Sequence, residues 1–494
     1  MEPIRVYEYG YDNKKEGGIR TPYQIDRDRI IHSSAFRRLR NKTQVFGVFT
    51  LDYYRTRLTH SLEVSQIARS IASNMNKKYG LNIDIDLIEA ISLAHDIGHP
   101  PFGHVGESII NEKLKGITDG ECGFEANAQN IRILNFLEKK FYDKDNNKIY
   151  GLNPSLKTID GILKYKLPYS LSDKSKHFIY DGDIFILERL HGKSFIEFIE
   201  KNFHYINKHE NKNIKEEFFE ASRCLECQIL NAADDIAYAT HDLEDGVESK
   251  LIDATGRLKV KRYVKEGRFL AGDLAGIESG IDKFFNGLKD IFGSFNDNGR
   301  AAQTERSGTR RSPHHTGDNI YPAMCRIKIK TDLKEFFSRY ISKFILNIDI
   351  EDREKYIGRG KNDLIKKIPL DFKNDSYKYN LIWKNEVNVE IKALKQISYR
   401  LVMENKDILL NRYKVKNIIE KLFCVFSDKN NLKLYPDDFQ ELYENGFYDG
   451  FGKNGFYVMC GDYISGMTDI YAVKLYSALF EAKSFPGISS SIES

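Results

Sequence analysis

Proline and tryptophan are scarce in this chain, which has 11 prolines and one tryptophan among its 494 residues. Proline is typical of turns and edge strands, so its scarcity argues against a turn-rich β fold. Hydrophobic residues make up 41% of the chain and charged residues 30%, which excludes a disordered or collagen-like protein. The composition therefore predicts a globular, mainly α-helical protein with one large domain or several smaller ones.

Long apolar runs are absent as well, because no stretch of about eighteen uncharged apolar residues occurs. Residues 1–5 lack the apolar core of a signal peptide. Six cysteines are too few for a disulfide scaffold in a chain of this length, which favours a reducing compartment. The 75 basic residues nearly balance the 71 acidic ones, so bulk charge does not indicate a nucleic-acid binder. We expect a cytoplasmic protein with no membrane partner.

Apolar spacing predicts three well-defined helices in the first half of the chain. The first ends near Gly80, and its buried face consists of Leu58, Leu62, Ala68, Ile71 and Met75. The second covers about residues 84–96 and stops where glycine and two prolines follow at 98–101. The third covers about residues 221–244 and ends at Gly246. Residues 319–484 also have a mostly helical pattern.

One polar segment divides the predicted architecture. Residues 296–318 contain almost no large apolar side chain, which is typical of a loop or a boundary. We therefore predict a catalytic core with an N-terminal arm over 1–295, a mobile loop or linker over 296–318, and a helical C-terminal region over 319–494. We expect the C-terminal region to complete the site and to provide contacts in an oligomer.

The segment HDIGHPPFGHVGE, residues 95–107, combines three histidines and two carboxyl groups with glycine and proline. Burying so many polar groups without strong partners costs roughly 1–3 kcal/mol for each group. Metal coordination or a wet catalytic cleft satisfies such groups, whereas apolar packing does not. A second His-Asp pair, His241-Asp242, lacks this context. The sequence therefore places the chemistry at 95–107.

Further candidate ligands lie on either side of this segment. His60 precedes it, and Asp234 follows it on the third predicted helix. With His95 and Asp96 they offer two imidazoles and two carboxylates, a mixture that suits Mg²⁺, Mn²⁺ or Fe²⁺ better than a closed structural zinc site. In the pair Asp234-Asp235 either residue is a candidate ligand.

The chain closely resembles the HD-superfamily deoxyguanosinetriphosphate triphosphohydrolases (dGTPases). The matching blocks occur in order along nearly the whole chain, and their joint specificity is high. They are DRDRII at 26–31, AFRRL at 35–39, KTQVF at 42–46, RLTHS at 57–61, residues 95–107, FEANAQ at 124–129, GILKY at 161–165, AADDIAY at 232–238 and DYISGMTD at 462–469. The resemblance implies a helical HD-domain phosphohydrolase fold with an additional helical C-terminal region.

The resemblance also implies the metal ligands, which are His60, His95, Asp96 and Asp234. Asp234, Tyr238 and Asp242 are spaced four residues apart and share one face of a helix. In the family this face carries the metal ligand, then a tyrosine and an aspartate at the deoxyribose. The Asp235 side chain points about 100° away, where we expect a supporting contact or a salt bridge.

Roles for the substrate contacts follow from the same resemblance. Gln44 and Asp242 are expected to bind the sugar 3′-OH, and Tyr238 to pack against C2′ and exclude a 2′-hydroxyl. His104 is expected to act as a general acid with Glu107 orienting it, because an alkoxide leaving group needs a proton donor. His99 is expected to reach the phosphates.

The family phosphate contacts match Arg57, Lys164 and Tyr165. The chain departs from the family pattern at one point: a further phosphate-binding lysine of some relatives has no counterpart near residues 179–183. Lys174 or Lys176 is a candidate substitute.

The implied reaction converts dGTP and water to deoxyguanosine and triphosphate with a divalent metal cofactor, Mg²⁺ or Mn²⁺, with Fe²⁺ as a further candidate. The alternatives are a broad dNTP triphosphohydrolase and a nucleotide- or single-stranded-DNA-sensing protein with little turnover. The resemblance further suggests a homo-oligomer, with a hexamer as one form, and single-stranded DNA as an activator.

Two weaker patterns have ordinary structural explanations. The basic cluster Arg37, Arg38, Arg40 and Lys42 is compatible with DNA binding, but a solvated face or subunit salt bridges are favoured. Cys224 and Cys227 form a lone CxxC on a predicted helix, for which packing is favoured over a metal or redox role.

Overall fold

Most of the chain is helical, as predicted. A computed structural model describes residues 4–7, 19–44, 55–139, 141–143, 148–174, 176–207, 212–252, 256–265, 274–293, 321–359, 362–372 and 374–481. Its α-helices are Pro22–His32, Ser34–Arg38, Arg57–Tyr79, Ile85–Ala94, Gly103–Ile117, Ala126–Arg132, Leu156–Ile162, Ile184–His191, Lys193–Ile206, Lys212–Ser222, Leu225–Glu248, Gly256–Lys265, Leu274–Gly293, Tyr321–Leu346, Arg353–Gly358, Asp375–Lys378, Asn385–Ser398, Lys406–Phe426, Asp437–Glu444, Gly455–Gly466 and Asp469–Phe480. Among these described helices, none combines the length and the apolar character needed to cross a bilayer.

Strands make only a small contribution. Phe141–Asp143 pairs antiparallel with Lys148–Tyr150, and Ile348–Asp352 pairs with Tyr379–Trp383. Short 3₁₀ turns lie at Leu39–Asn41, Tyr169–Leu171, Asp181–Asp183, Ile365–Lys367, Lys429–Leu434 and Asp449–Asn454, and π-helical turns lie at Ile133–Leu137 and Tyr399–Met403.

The chain divides into two compact units. The first comprises Met1–Ala233, Ile350–Ile382 and Leu410–Ser494, and the second comprises Asp234–Asp349 and Trp383–Leu409. The predicted loop at 296–318 lies outside the described residues, so the three-part division stays a prediction.

The first predicted helix is Arg57–Tyr79, and it ends where Gly80 adopts a φ of +65°. Thr56 caps its N-terminus, since the Thr56 hydroxyl accepts from the Thr59 amide. Ala68 belongs to the buried face as predicted, but Leu62 is 50% exposed. Leu62 precedes Ala68 by six residues, which places it about 240° around the helix from that face. The prediction for Leu62 was wrong for this reason.

The second predicted helix is Ile85–Ala94, which is followed by the loop that carries the 95–107 motif. The Asp84 carboxylate caps it by accepting from the amides of Asp86 and Leu87. Seven of its ten residues are buried, so the helix lies inside the first unit. A buried helix therefore holds the beginning of the motif in place.

The third predicted helix differs from its prediction at both ends. A separate helix ends at Ser222, and the long helix begins at Leu225 and runs through Gly246 to Glu248. Gly246 does not terminate it. A Cβ at this position would lie 2.8 Å from side-chain atoms of Ile252 and Val402, so glycine is required by close packing.

The helices at the C-terminal end of the first unit pack against Gly103–Ile117. Their shared apolar core contains Ile110, Leu114, Phe423, Tyr463 and Ile464. This packing brings the segment around residue 469 to the motif loop.

Candidate active site and metal centre

His60 and His95 lie close together in the first unit. His60 is in the first turns of Arg57–Tyr79, and His95 follows the buried helix Ile85–Ala94. Their ring centroids are 5.5 Å apart, and their candidate ligand nitrogens lie within 4.8 Å of one another. His95 Nδ1 is 2.6 Å from the Ser92 carbonyl oxygen, which only accepts, so Nδ1 carries the proton. This tautomer leaves Nε2 as the atom with a lone pair for a metal.

Asp96 adds a buried carboxylate to the two imidazoles. Its Oδ1 is 3.4 Å from His95 Nε2, and its Oδ2 accepts from Arg57 Nη1 at 2.7 Å. Burial acts to raise the pKa of Asp96, but the two neighbouring histidines and Arg57 outweigh it and hold the pKa well below its usual range. The carboxylate is therefore ionised, which is the form that binds a cation.

This donor set fits a divalent cation. The candidate ligand nitrogens of the two buried imidazoles lie within 4.8 Å of one another, and the Asp96 carboxylate lies 3.4 Å from His95 Nε2, spacings that suit atoms sharing one ion at about 2.0–2.2 Å. Mixed nitrogen and oxygen donors are compatible with Mn²⁺, Fe²⁺ or Mg²⁺. His60, His95 and Asp96 are thus brought together as the sequence predicted.

Asp234, Tyr238 and Asp242 lie on the helix Leu225–Glu248, in the second unit. The helix is continuous through all three positions, so they share one face as predicted. Asp242 is buried, and Asp234 and Tyr238 are half-buried. Asp235 forms an ion pair with Lys395, which agrees with the salt bridge predicted for it.

His104 and Glu107 form a hydrogen-bonded pair on the helix Gly103–Ile117. The His104 side chain is 78% exposed, and its Nδ1 is 2.9 Å from Glu107 Oε2. The buried Glu107 is fixed on its other side, because Oε1 accepts from the Ala126 amide at 3.0 Å. The ring of His99 lies edge-on to His104 with centroids 5.4 Å apart. This arrangement holds an accessible imidazole in one orientation.

The helix that carries this pair begins with an unusual backbone. Phe102 has a φ of 62° and Gly103 a φ of 59°. A Cβ on Gly103 would lie 2.7 Å from Arg57 Nη2, so glycine allows the Arg57 guanidinium to pass. The start of the helix that carries His104 and Glu107 therefore lies against the Arg57 guanidinium, which pairs with Asp96.

Glu107 and Glu125 have opposite electrostatic properties. Burial acts to raise the pKa of Glu107, but the hydrogen bond from His104 and the nearby imidazoles lower it to about 2. Burial, together with the negative charge of Glu107, raises the pKa of Glu125 to about 7. The Glu125 carboxylate caps the helix Ala126–Arg132 by accepting from the Ala128 amide at 2.8 Å. One member of the pair is thus ionised near neutral pH, and the other titrates there.

The depressed pKa of Glu107 predicts a pH-dependent contribution to stability. Because the folded pKa is about 2 and the usual value is 4.5, the contribution is complete above 4.5 and declines as the pH falls towards 2. The difference in the free energy of unfolding between the wild type and Glu107→Gln should shrink between pH 5 and pH 3. The decline is at most about 1.4 kcal/mol for each pH unit. Urea unfolding at several pH values measures it, and a constant difference would contradict the assignment.

Asn130 supports the motif loop and was not among the predicted site residues. Its Oδ1 accepts from the Gly98 amide at 2.6 Å, and its Nδ2 donates to the His95 carbonyl at 2.5 Å. Gly98 approaches so closely that a Cβ would lie 2.3 Å from the Ala126 carbonyl oxygen. No spacing rule in the sequence predicts the two hydrogen bonds of Asn130, because each joins residues more than thirty positions apart.

Gln44 lies at the end of a described segment and is half-buried. Its side-chain oxygen Oε1 is buried and has no hydrogen-bond partner among the described residues. An orphaned acceptor of this kind is costly unless a ligand supplies a donor. The observation fits the substrate contact predicted for Gln44.

The predicted phosphate contacts have other partners. The Arg57 guanidinium pairs with Asp96, although its buried Nε has no hydrogen-bond partner within the described ranges. Tyr165 stacks on His177 with ring centroids 4.2 Å apart. The Lys164 carbonyl accepts from Arg223 Nε at 3.0 Å. The phosphate roles of Arg57, Lys164 and Tyr165 stay predictions.

The two candidate replacements for the absent phosphate lysine differ in their surroundings. Lys174 Nζ donates to the Gly120 carbonyl at 2.9 Å and lies 5.6 Å from the Tyr169 ring centroid. Lys176 is exposed. Lys174 is thus engaged in packing, so Lys176 is the freer of the two side chains.

The basic cluster and the CxxC pair both have structural roles. Lys42 does not belong to a basic surface, because its side chain is buried, while Arg38 pairs with Glu138 at 3.5 Å. Cys224 and Cys227 are buried against Tyr377, which confirms packing. Burial raises the pKa of both thiols, so neither is a ready nucleophile or ligand.

Comparisons with known proteins agree with this geometry. Residues 57–152 match the HD domain, and residues 381–478 match the phosphohydrolase-associated domain. The chain is similar to deoxyguanosinetriphosphate triphosphohydrolase-like proteins of three Shewanella species. For Shewanella baltica strain OS185 the identity is 30%, for Shewanella sediminis 31% and for Shewanella pealeana 32%, and each match covers 96% of this chain and 95% of the relative.

Proposed function

Because the chain belongs to the family of deoxyguanosinetriphosphate triphosphohydrolase-like proteins, we propose that it converts dGTP and water to deoxyguanosine and triphosphate. The HD domain identifies the chain as a metal-dependent hydrolase. The proposal adds the substrate, the bond that is cleaved and the residues that carry out the reaction.

The observation that carries the proposal is the proximity of two chemical features in the first unit. His60, His95 and Asp96 form a donor set for a divalent cation, and His99 links this set to His104 and Glu107. A proton donor beside a cation site is what hydrolysis of a phosphate ester requires. A protein that only senses nucleotides needs no such donor.

His60, His95, Asp96 and Asp234 are the proposed metal ligands. A bound divalent cation supplies Lewis-acid polarisation of the α-phosphate. His104 donates a proton to O5′ of the nucleoside as the bond between O5′ and the α-phosphorus breaks. Water adds to that phosphorus and releases one proton to the solvent, from which His104 is protonated again. Glu107 stabilises the protonated imidazole and fixes its orientation. His99, Arg57, Lys164 and Tyr165 are the proposed contacts of the phosphates.

The sugar contacts complete the proposal. Gln44 and Asp242 are the proposed hydrogen-bond partners of the 3′-OH, which donates its one proton to an acceptor oxygen of this pair. Tyr238, one turn before Asp242 on its helix, packs against C2′. A hydroxyl at C2′ would then overlap the ring.

A direct assay tests the proposal. The purified protein is incubated with each of the four dNTPs and the four rNTPs in Mg²⁺ or Mn²⁺, and the products are separated by chromatography. Deoxyguanosine and triphosphate from dGTP are expected. Similar rates on all four dNTPs would favour the broad triphosphohydrolase, and release of a nucleotide mono- or diphosphate would contradict the cleavage site. Oligomer formation, activation by single-stranded DNA and a cytoplasmic location stay predictions from the family.

Two neighbouring substitutions test the metal ligands. Asp234→Ala should abolish metal-dependent turnover and weaken Mn²⁺ binding, because it removes one of the four proposed ligands. Asp235→Ala is the matched control: it removes the ion pair with Lys395 and should retain Mn²⁺ binding. Titration calorimetry with Mn²⁺ alone measures both variants. If Asp235→Ala loses the ion and Asp234→Ala keeps it, the assignment is off by one residue.

A further inference from the structure

The carboxylate of Asp469 joins two distant segments of the chain. One oxygen, Oδ2, accepts from the Thr43 amide at 2.9 Å and also from the Thr43 hydroxyl. The other, Oδ1, accepts from the Phe102 amide at 2.8 Å. Asp469 is fully buried, so all of these contacts form away from solvent. The two segments are thus held at a fixed separation by one side chain.

Each of the two segments carries proposed site residues. Thr43 directly precedes Gln44 and forms an isolated antiparallel bridge with Thr56, which caps the helix that carries His60. Phe102 is the N-cap of the helix that carries His104, and it has no side-chain cap of its own. A shift of either segment would move a sugar contact or the proton donor.

A buried lysine reinforces the same connection. Lys42 Nζ donates to the His99 carbonyl at 2.5 Å and to the Ser465 carbonyl at 2.9 Å. Burial lowers the pKa of Lys42 well below its usual value, and the nearby Asp469 carboxylate acts in the opposite direction. Asp469 itself begins the helix Asp469–Phe480, and burial raises the pKa of its carboxyl group, although the hydrogen bonds from Thr43 and Phe102 act in the opposite direction. Residues 42–43 and 99–102 are therefore both tied to the segment 465–469.

We infer that Asp469 and Lys42 are positioning residues, which set Gln44 and the His104–Glu107 pair in register for catalysis. This inference rests on the proposed function. Neither residue touches a reacting atom. It also gives a role to the phosphohydrolase-associated domain, because Ser465 and Asp469 both lie within the residues that match it.

Asp26 offers a matched control within the same unit. Its Oδ2 accepts from the Ser155 amide at 2.9 Å and from the Thr158 hydroxyl at 2.7 Å, and its Oδ1 accepts from Arg5. It is therefore also a buried carboxylate that joins distant segments through an amide and a threonine hydroxyl. None of these partners is adjacent to a proposed site residue, since the nearest, Lys164, follows Thr158 by six residues.

The experiment compares Asp469→Asn with Asp26→Asn. An asparagine has one acceptor oxygen, so Asp469→Asn leaves either the Thr43 or the Phe102 amide facing an N–H group. We expect kcat for dGTP to fall by about 10- to 100-fold, since misplacement by about 1 Å costs that much. The preference for dGTP over 2′,3′-dideoxy-GTP should also fall, because Gln44 moves. Asp26→Asn should change neither quantity.

Hydrogen exchange provides a readout that does not need turnover. Asp469→Asn should exchange faster at residues 43–44 and 99–104 and stay protected in the interior of Arg57–Tyr79. The inference would be overturned if Asp469→Asn and Asp26→Asn had the same kcat for dGTP, or if hydrogen exchange in Asp469→Asn became faster throughout the chain. If the wild type hydrolyses no dNTP, the proposed function fails by itself. The exchange pattern then decides whether Asp469 holds the two segments.

Discussion

The His104→Ala variant should bind Mn²⁺ and dGTP like the wild type, while its kcat falls by about 10²–10⁴-fold. This is the range that a general acid typically supplies. The imidazole is exposed, so its removal leaves no cavity and no unpaired buried partner other than Glu107 Oε2. The expected loss is therefore in the chemical step. Single-turnover kinetics and equilibrium binding of dGTP separate this step from binding.

Two companion variants make the result specific. Ser108→Ala removes a hydroxyl that donates to the His104 carbonyl on the same exposed surface, and it should leave kcat unchanged. Glu107→Gln keeps the shape of the side chain but removes the charge that stabilises an imidazolium, so it should lower kcat by less than His104→Ala. A His104→Ala enzyme with weakened dGTP binding and a normal kcat would make His104 a binding residue instead.

Discrimination at the sugar should be the second large effect. Wild-type kcat/KM for dGTP should exceed that for 2′,3′-dideoxy-GTP by up to about 10⁴-fold, because a missing 3′-OH leaves the buried side-chain oxygen of Gln44 without the donor that the substrate supplies. GTP should also be a poor substrate. A 2′-hydroxyl would overlap the Tyr238 ring, and overpacking of a fitted site costs about 1–3 kcal/mol.

The tyrosine is tested by two substitutions. Tyr238→Ala should admit GTP and weaken dGTP, whereas Tyr238→Phe keeps the ring and should keep the exclusion of GTP. Steady-state kcat/KM values for dGTP, GTP and the dideoxy analogue measure both. Equal wild-type rates on dGTP and GTP would remove the sugar pocket from the proposal, and with it much of the case for a deoxynucleotide substrate.

The sequence predicted the features that depend on local spacing. The glycine end at Gly80 and the shared face of Asp234 and Asp242 both follow from rules within one helix. The choice of Asp235 for a salt bridge had the same basis, since four-residue spacing fixes direction around the helix axis. Local geometry was enough for these residues.

The contacts that depend on tertiary structure could not be predicted in this way. The sequence of residues 37–42 indicates a basic surface. Lys42 is nevertheless buried, because its ammonium group donates hydrogen bonds to two backbone carbonyls from distant segments. Gly246 resembles a helix end, yet packing by Ile252 and Val402 keeps it inside the helix. Leu62 has the expected residue type but lies on the wrong side of its helix. For Lys42 and Gly246 the deciding contacts come from outside the local segment, whereas Leu62 was misplaced by an error in helical spacing.

The Asp469 contacts have a consequence for protein synthesis. Thr43 and Asp469 are 426 residues apart, so almost the entire chain must leave the ribosome before this hydrogen bond can form. The segments that carry His60, His95 and His104 are made early and must wait without their final partner. Closing so long a loop is slow compared with forming the helices themselves. If Asp469 positions the site as inferred, we expect a nascent chain that has folded its first helices to lack phosphohydrolase activity until residue 469 is available.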